Sequence, residues 1–219
     1  RVANTLNYLD IRTVVVSCGT CYDQLQAYAF EEIFPGCRII DIHEYLMEKG
    51  LKLEHPTGVR YTYHDPCHSP MKQYQPLKVV NQLMNESVNG SIERNDRCCG
   101  ESGTFAVSRP EIATQVRFRK EQELRRAADK LRHWPDSDAD PATAAKTEAA
   151  RTPAAKPEAK LKVLTSCPSC LQGLQRYEDV SGMQADYIVV EMAQHLLGSQ
   201  WLPDYVARAN DGGIERVLL

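Results

Sequence analysis

Hydrophobic positions along the chain gather into short runs that end in polar, cysteine-bearing stretches. Thr13-Val14-Val15-Val16 leads into Ser17-Cys18-Gly19-Thr20-Cys21. Arg60-Tyr61-Thr62-Tyr63 leads into His64-Asp65-Pro66-Cys67-His68. Leu161-Lys162-Val163-Leu164-Thr165 leads into Ser166-Cys167-Pro168-Ser169-Cys170. Their β-branched and aromatic content predicts strands, and the Pro- and Gly-bearing stretches behind them predict turns. Helical spacing follows both CxxC loops, at about Tyr22–Phe34 and Leu171–Glu178. Strand–loop–helix units imply an α/β fold, a largely parallel sheet with flanking helices. Ligands in such sheets collect beyond the carboxyl ends of the strands, so all three cysteine loops are expected on one edge.

The longest predicted helix runs from about Arg109 to Leu131. Ser108 and Glu111 fit a capping box, Pro110 is tolerated in the first turn, and Ile112, Val116, Leu124, Ala127, Ala128 and Leu131 give an apolar stripe. Its charged run Arg117–Arg126 reads as a solvated face. From Pro135 to Lys160 no large aliphatic residue occurs. Such a stretch cannot offset an ordering entropy of ~1–2 kcal/mol per residue, which predicts a disordered insertion at about 133–160.

The chain repeats itself. Val15-Val16-Ser17-Cys18 to Cys21 matches Leu164-Thr165-Ser166-Cys167 to Cys170, an offset of 149. Farther on, Arg38-Ile39-Ile40-Asp41-Ile42 through Leu46 matches Ile188-Val189-Val190-Glu191-Met192 through Leu196, an offset of 150. Two copies of one unit are expected: the back half of a first over 1–57 and a complete second over 58–219. Because the chain opens on Arg1-Val2-Ala3 rather than Met, it reads as a piece of a longer polypeptide.

A net charge of −3 gives no basic footprint for nucleic acid. The longest apolar runs are strand-sized, so no transmembrane segment is predicted. The eight cysteines are too sparse for a disulfide scaffold and fall in tight pairs, Cys18/Cys21, Cys98/Cys99 and Cys167/Cys170, with Cys37 and Cys67 apart. Pairs that tight converge on metals or do redox chemistry more often than they staple a fold. A reducing, cytoplasmic setting follows, or a peripheral one at the inner membrane face.

In a CxxC turn two thiolates point at one centre, and the following helix N-terminus offers N–H groups and a positive dipole end to an anion. Pro168 stiffens the second such turn and Gly19 relaxes the first. Adjacent cysteines diverge in extended backbone, so Cys98-Cys99 suits a cluster in which each sulfur takes a different iron. Gly100 allows the main chain to approach inorganic sulfides, and Arg97 is the nearby counter-charge. Zinc, the rival reading, takes four ligands and leaves one of Cys67, Cys98, Cys99, Cys167 and Cys170 spare. A Cys98–Cys99 disulfide would be strained.

The pattern Cys67 … Cys98-Cys99-Gly100 … Cys167-x-x-Cys170 resembles the cysteine-rich CCG domain found in heterodisulfide reductase and in the iron–sulfur subunits of glycolate and lactate oxidation systems. His64-Asp65-Pro66-Cys67-His68, Cys98-Cys99-Gly100-Glu101-Ser102-Gly103-Thr104-Phe105 and Cys167-Pro168-Ser169-Cys170 carry the likeness. It implies a [4Fe-4S] cluster, cubane or non-cubane, held by the five cysteines. It also implies an electron-transfer module of a flavin-linked oxidoreductase acting on a 2-hydroxy acid such as lactate or glycolate. FAD would sit on another domain or on a partner flavoprotein, with a quinone or disulfide as acceptor. Cys18 and Cys21 would serve a first cluster that cannot form within this chain alone. The alternatives are a module that reduces disulfides at the cluster itself and a zinc-stabilised interaction domain.

The remaining polar residues receive modest roles. His64 and His68 read as turn or supporting groups, His43 and His195 as packing or surface groups near helix starts, and Glu101 as a solvated carboxylate. Tyr61 and Tyr63 are expected to share a sheet face, and Cys37 to be a buried structural thiol.

Overall fold

The computed structural model describes residues 2–101, 105–133 and 159–212. The predicted insertion at 133–160 falls almost wholly outside them. The first part of the chain runs α1 (Val2–Tyr8), β1 (Thr13–Val16), α2 (Gly19–Ala27), α3 (Phe30–Ile33), β2 (Arg38–Asp41) and α4 (Ile42–Glu48). The second runs β3 (Val59–His64), α5 (Pro76–Met84), α6 (Glu86–Asn89), β4 (Glu93–Asn95), α7 (Phe105–Ser108) and α8 (Pro110–Arg132). It continues with β5 (Lys160–Thr165), α9 (Pro168–Gln175), α10 (Glu178–Ser181), β6 (Gln184–Tyr187), α11 (Ile188–Leu197) and α12 (Trp201–Asn210).

Both sheets are parallel, as the strand–loop–helix pattern predicts. One pairs β1 with β2; the other has the order β4-β3-β5-β6. The larger sheet is covered on both faces, which parallel sheets require. Tyr61, Tyr63 and Leu164 pack on one face with Val79, Val80 and Leu83 of α5 and Ile188 and Met192 of α11. Leu161 and Val163 pack on the other with Leu124 and Ala128 of α8 and Leu174 of α9. Each such side chain contributes about 1.5–3 kcal/mol by leaving water. A third core, including Tyr22, Phe30, Cys37 and Ile39, lies under the small sheet.

Several elements differ from the sequence pattern. The predicted helix over Tyr22–Phe34 is broken into α2 and α3 at Ala29, whose φ is 50°. Helix α8 carries no capping box: its N-cap is Arg109, with no side-chain cap bond. Its buried stripe is Ala113, Lys120, Leu124 and Ala128, one residue out of register with Ile112, which is exposed. The apolar run Ile188-Val189-Val190 opens a helix rather than continuing a strand. Strand β2 ends at Asp41 and β6 at Tyr187, so the structural offset there is 187 − 41 = 146 rather than 150. The difference of four is about one helical turn, which preserves the apolar spacing that suggested the match.

The two sheets touch at close quarters. The Tyr187 hydroxyl donates to the main-chain oxygens of Ser17 at 2.8 Å and Ser166 at 3.3 Å. A Cβ on Gly19 would lie 1.9 Å from the carbonyl oxygen of His68. Gly19 is thus required by backbone approach, not by the turn relaxation inferred from sequence.

Candidate metal centre

Strand register aligns the carboxyl ends of the larger sheet. His64 pairs with Asn95 on one side and Thr165 on the other, and Thr165 pairs with Tyr187. Just beyond this row come Cys67, Cys98-Cys99 and Cys167. Each CxxC turn is built alike: Cys18 (φ −145°, ψ 125°) and Cys167 (φ −128°, ψ 121°) are extended N-cap residues of α2 and α9.

The sulfurs of Cys99 and Cys170 lie 3.4 Å apart, both buried. One ring nitrogen of His64 joins them, all three atoms within 4.8 Å of one another. The Gly100 amide donates to the Cys98 sulfur at 3.4 Å. Cys167 is half-buried beside Cys170, whereas Cys67 is exposed and near enough to Cys98 to act on its charge. Cys18 and Cys21 are half-buried and exposed, and neither belongs to the group of His64, Cys99 and Cys170. Cys37 is buried in the third core.

These thiols share protons unequally. Cys99 is held far below the ordinary thiol range by its contacts with Cys170 and Cys98, with His64 and the Glu101 amide adding to the effect. Its partners are correspondingly pushed up: Cys98 by Cys99, Cys170 by Cys167 and Cys99. Cys167 falls to about 6 through its bond with Cys170, helped by the amides of Cys170 and Ser169 at the start of α9. Thiolate character concentrated in this way is the state that ligates metals.

Helices α8 and α9 clamp the Cys98-Cys99-Gly100-Glu101 turn. Gly100 has φ 77°. A Cβ on Gly173 would lie 2.8 Å from that of Glu101 and 3.3 Å from that of Cys99. Glu101 accepts from Arg117 at 3.1 Å and Arg176 at 2.8 Å, so it braces both helices instead of standing solvated. The Tyr177 hydroxyl donates to the Cys99 carbonyl at 3.2 Å.

The cation beside the thiols is not Arg97, which is exposed and reaches only the Arg119 carbonyl at 3.5 Å. It is Lys120, fully buried on the inner stripe of α8. Its ammonium bonds His64 Nδ1 at 3.0 Å, Glu123 Oε2 at 2.8 Å and Asn95 Oδ1. Burial pushes the lysine below its ordinary range, against the pull of Glu123. Desolvation likewise lowers His64 and keeps its ring neutral. The sequence signal for Lys120 was its position, seven residues after Ala113 and four before Leu124; with the stripe set on Ile112 it looked exposed. Gly173 carried no signal, because its neighbours come from a distant turn.

Other readings also change. His43 is fully buried with Nδ1 2.8 Å from Asp41 Oδ1, and His195, near the end of α11, meets Glu191 at 3.2 Å. Ser102, Gly103 and Thr104 lie outside the described residues.

Residues 61–133 match the family described as "Cysteine-rich domain" (CCG), and residues 175–219 match a "Domain of unknown function" (DUF3400). An uncharacterized iron-sulfur protein of Methanococcus maripaludis is 32% identical over 117 residues, 52% of this chain and 23% of that protein. One of the subunits of fumarate reductase (CoM/CoB) from Methanothermobacter marburgensis is 32% identical over 126 residues, 54% of this chain and 24% of its own length. Lactate utilization protein A of Oceanobacillus iheyensis is 33% identical over 69 residues, 30% of this chain and 28% of its own. The chain therefore spans about a quarter of these relatives. No solved structure matches it. Among the described residues no helix is long and apolar enough to cross a membrane. The wording around Cys67 and Cys98-Cys99-Gly100, the parallel sheet that carries it and the family match agree: residues 61–133 match the cysteine-rich CCG domain family, and the chain is similar to proteins named as iron–sulfur proteins.

Proposed function

We propose that this chain is an iron–sulfur electron-transfer part of a larger oxidoreductase, with Cys67, Cys98, Cys99, Cys167 and Cys170 holding a [4Fe-4S] cluster. The carrying observation is the 3.4 Å approach of Cys99 to Cys170 across 71 positions of sequence, with Cys98 and Cys167 beside them. The donor set fits: soft thiolates from three stretches at one sheet edge, a main-chain amide at Gly100 aimed at sulfur, and charge enough to need a metal. When bound, such a cluster takes up and releases single electrons. The protein's own part is to exclude water from Cys99 and Cys170 through α8 and α9, while leaving the Cys67 side open to a partner.

The names of the relatives support an oxidoreductase assembly. We assign the parent reaction to a 2-hydroxy acid such as lactate or glycolate, with FAD on another domain or a flavoprotein partner and a quinone or disulfide as acceptor. By the internal repeat, residues 1–57 are the back half of a first unit, in which Cys18 and Cys21 would serve a second cluster, and 58–219 are a complete second unit. The exposure of Cys67 favours one further reading, reduction of a disulfide at the cluster itself. Anaerobic reconstitution tests the main reading: about four irons per chain and broad absorbance near 400 nm are expected. A colourless protein holding one zinc would overturn it. Reduction of a disulfide substrate without any flavoprotein would move the assignment to the second reading.

A further inference from the structure

Resting on the iron–sulfur reading, we propose that Lys120 and His64 form a buried donor pair that turns the Nε2–H of His64 toward the buried sulfurs of Cys99 and Cys170, and that His64 is not itself a metal ligand. Lys120 acts as a positioning residue, and the pair raises the reduction potential of the site.

An ammonium group has three N–H bonds and no lone pair. Lys120 meets three acceptors: His64 Nδ1, Asn95 Oδ1 and Glu123 Oε2. The asparagine cannot turn its amide around without loss, because its Nδ2 donates to Thr62 Oγ1 at 3.0 Å, and that hydroxyl donates to the Glu93 carbonyl at 2.9 Å. Every atom around the ammonium is therefore assigned. Nδ1 of His64 must accept, so in the neutral ring the proton sits on Nε2.

Nε2 is buried without a hydrogen-bond partner, on a ring that offers one nitrogen to the group containing Cys99 and Cys170. A metal-binding histidine shows the reverse arrangement: its outer nitrogen donates to a carboxylate or carbonyl, which frees the inner lone pair for the metal. Here the outer nitrogen faces a donor, so neither nitrogen has a lone pair to spare. What remains is an N–H donor beside the buried sulfurs of Cys99 and Cys170. Hydrogen bonds to cluster sulfurs, with net charge, set the potential of such sites, and a fixed cation one imidazole away acts in the same direction.

The experiment uses the full chain reconstituted with iron and sulfide. In protein carrying ¹⁵N-histidine, pulsed EPR should show only the weak coupling of a hydrogen-bonded ring. The strong coupling of a directly bound nitrogen overturns the proposal. Lys120→Met should lower the potential, changing the oxidised-to-reduced ratio at a fixed poise about tenfold, or 59 mV for a one-electron couple. Lys120→Arg, which keeps the cation and its donors, should stay near wild type. A potential unmoved by Lys120→Met overturns the proposal; if that variant does not fold, the nitrogen coupling of the wild type decides. Should the chain bind zinc instead of iron, the iron–sulfur reading fails separately, and ¹⁵N NMR of the histidine ring then decides: a proton on Nδ1 overturns the pair.

Discussion

The two CxxC loops share a backbone and differ in everything around it. Each follows a parallel strand and a serine, and each begins with an extended cysteine that caps a helix. Yet Cys170 is buried 3.4 Å from Cys99, while Cys21 is exposed and its thiol is raised above the usual range chiefly by its hydrogen bond with Cys18. The difference lies in what covers the loop. Over α9 lie the Cys98-Cys99-Gly100 turn and α8; over α2 lie the His68 carbonyl at Gly19, the Asp23 contacts with His68 at 3.1 Å and Lys72 at 3.0 Å, and the Gln73 amide on Tyr22 at 3.3 Å, with no second cysteine pair among the described residues. A CxxC turn thus prepares two sulfurs, and a second stretch of chain must arrive before they become a buried, multi-sulfur site.

The largest test of this contrast is metal content. Cys99→Ser should reduce reconstituted iron from about four per chain to near zero, whereas Cys21→Ser should leave it unchanged; equal loss in both variants would erase the distinction. Glycine contacts should rank next. Gly19→Ala drives a methyl into backbone and should cost about 3 kcal/mol, against about 1 kcal/mol for Gly173→Ala, whose nearest neighbour is a side-chain carbon, as read from urea midpoints.

A third test sets α4 against α11, which each bury a glutamate. Burial pushes Glu191 up, but Lys162, Tyr61 and His195 outweigh it and hold the carboxyl below its usual range. Its stabilising effect is present above the unfolded value of about 4.3 and is lost as pH falls through the depressed folded value. Glu191→Gln should therefore cost about 3 kcal/mol near neutrality and less in acid. Glu44 pairs with no cation among the described residues. Burial raises it, although the Tyr74 and Gln73 amides donate to it at 2.8 and 2.7 Å. Its folded form holds the proton more tightly, so stability falls as pH rises from the unfolded value through the raised folded one. Glu44→Gln should flatten that decline in thermal melts, and a parallel profile for the two variants would contradict the assignment. Least affected should be Arg97→Ala, which should change stability by under about 0.5 kcal/mol and leave iron content intact.

The parallel α/β architecture, the three strand-to-cysteine junctions and the resemblance to the CCG family were legible in the sequence, because period-2 runs and cysteine spacing are local. Register was not. Setting the α8 stripe on Ile112 instead of Ala113 turned the buried Lys120 outward and left Arg97 as the apparent counter-charge. The repeat slipped by four residues at Ile188 for a related reason: a buried helix and a buried strand read alike over so short an apolar run. Gly19 and Gly173 are set by contacts with distant segments, which no local pattern carries.

One phenol oxygen, that of Tyr187, ties together the two serine carbonyls that immediately precede Cys18 and Cys167. Displacing either sulfur pair pulls on the same atom as displacing the other. The separation between the two pairs is thus a property of the packed fold rather than of a tether.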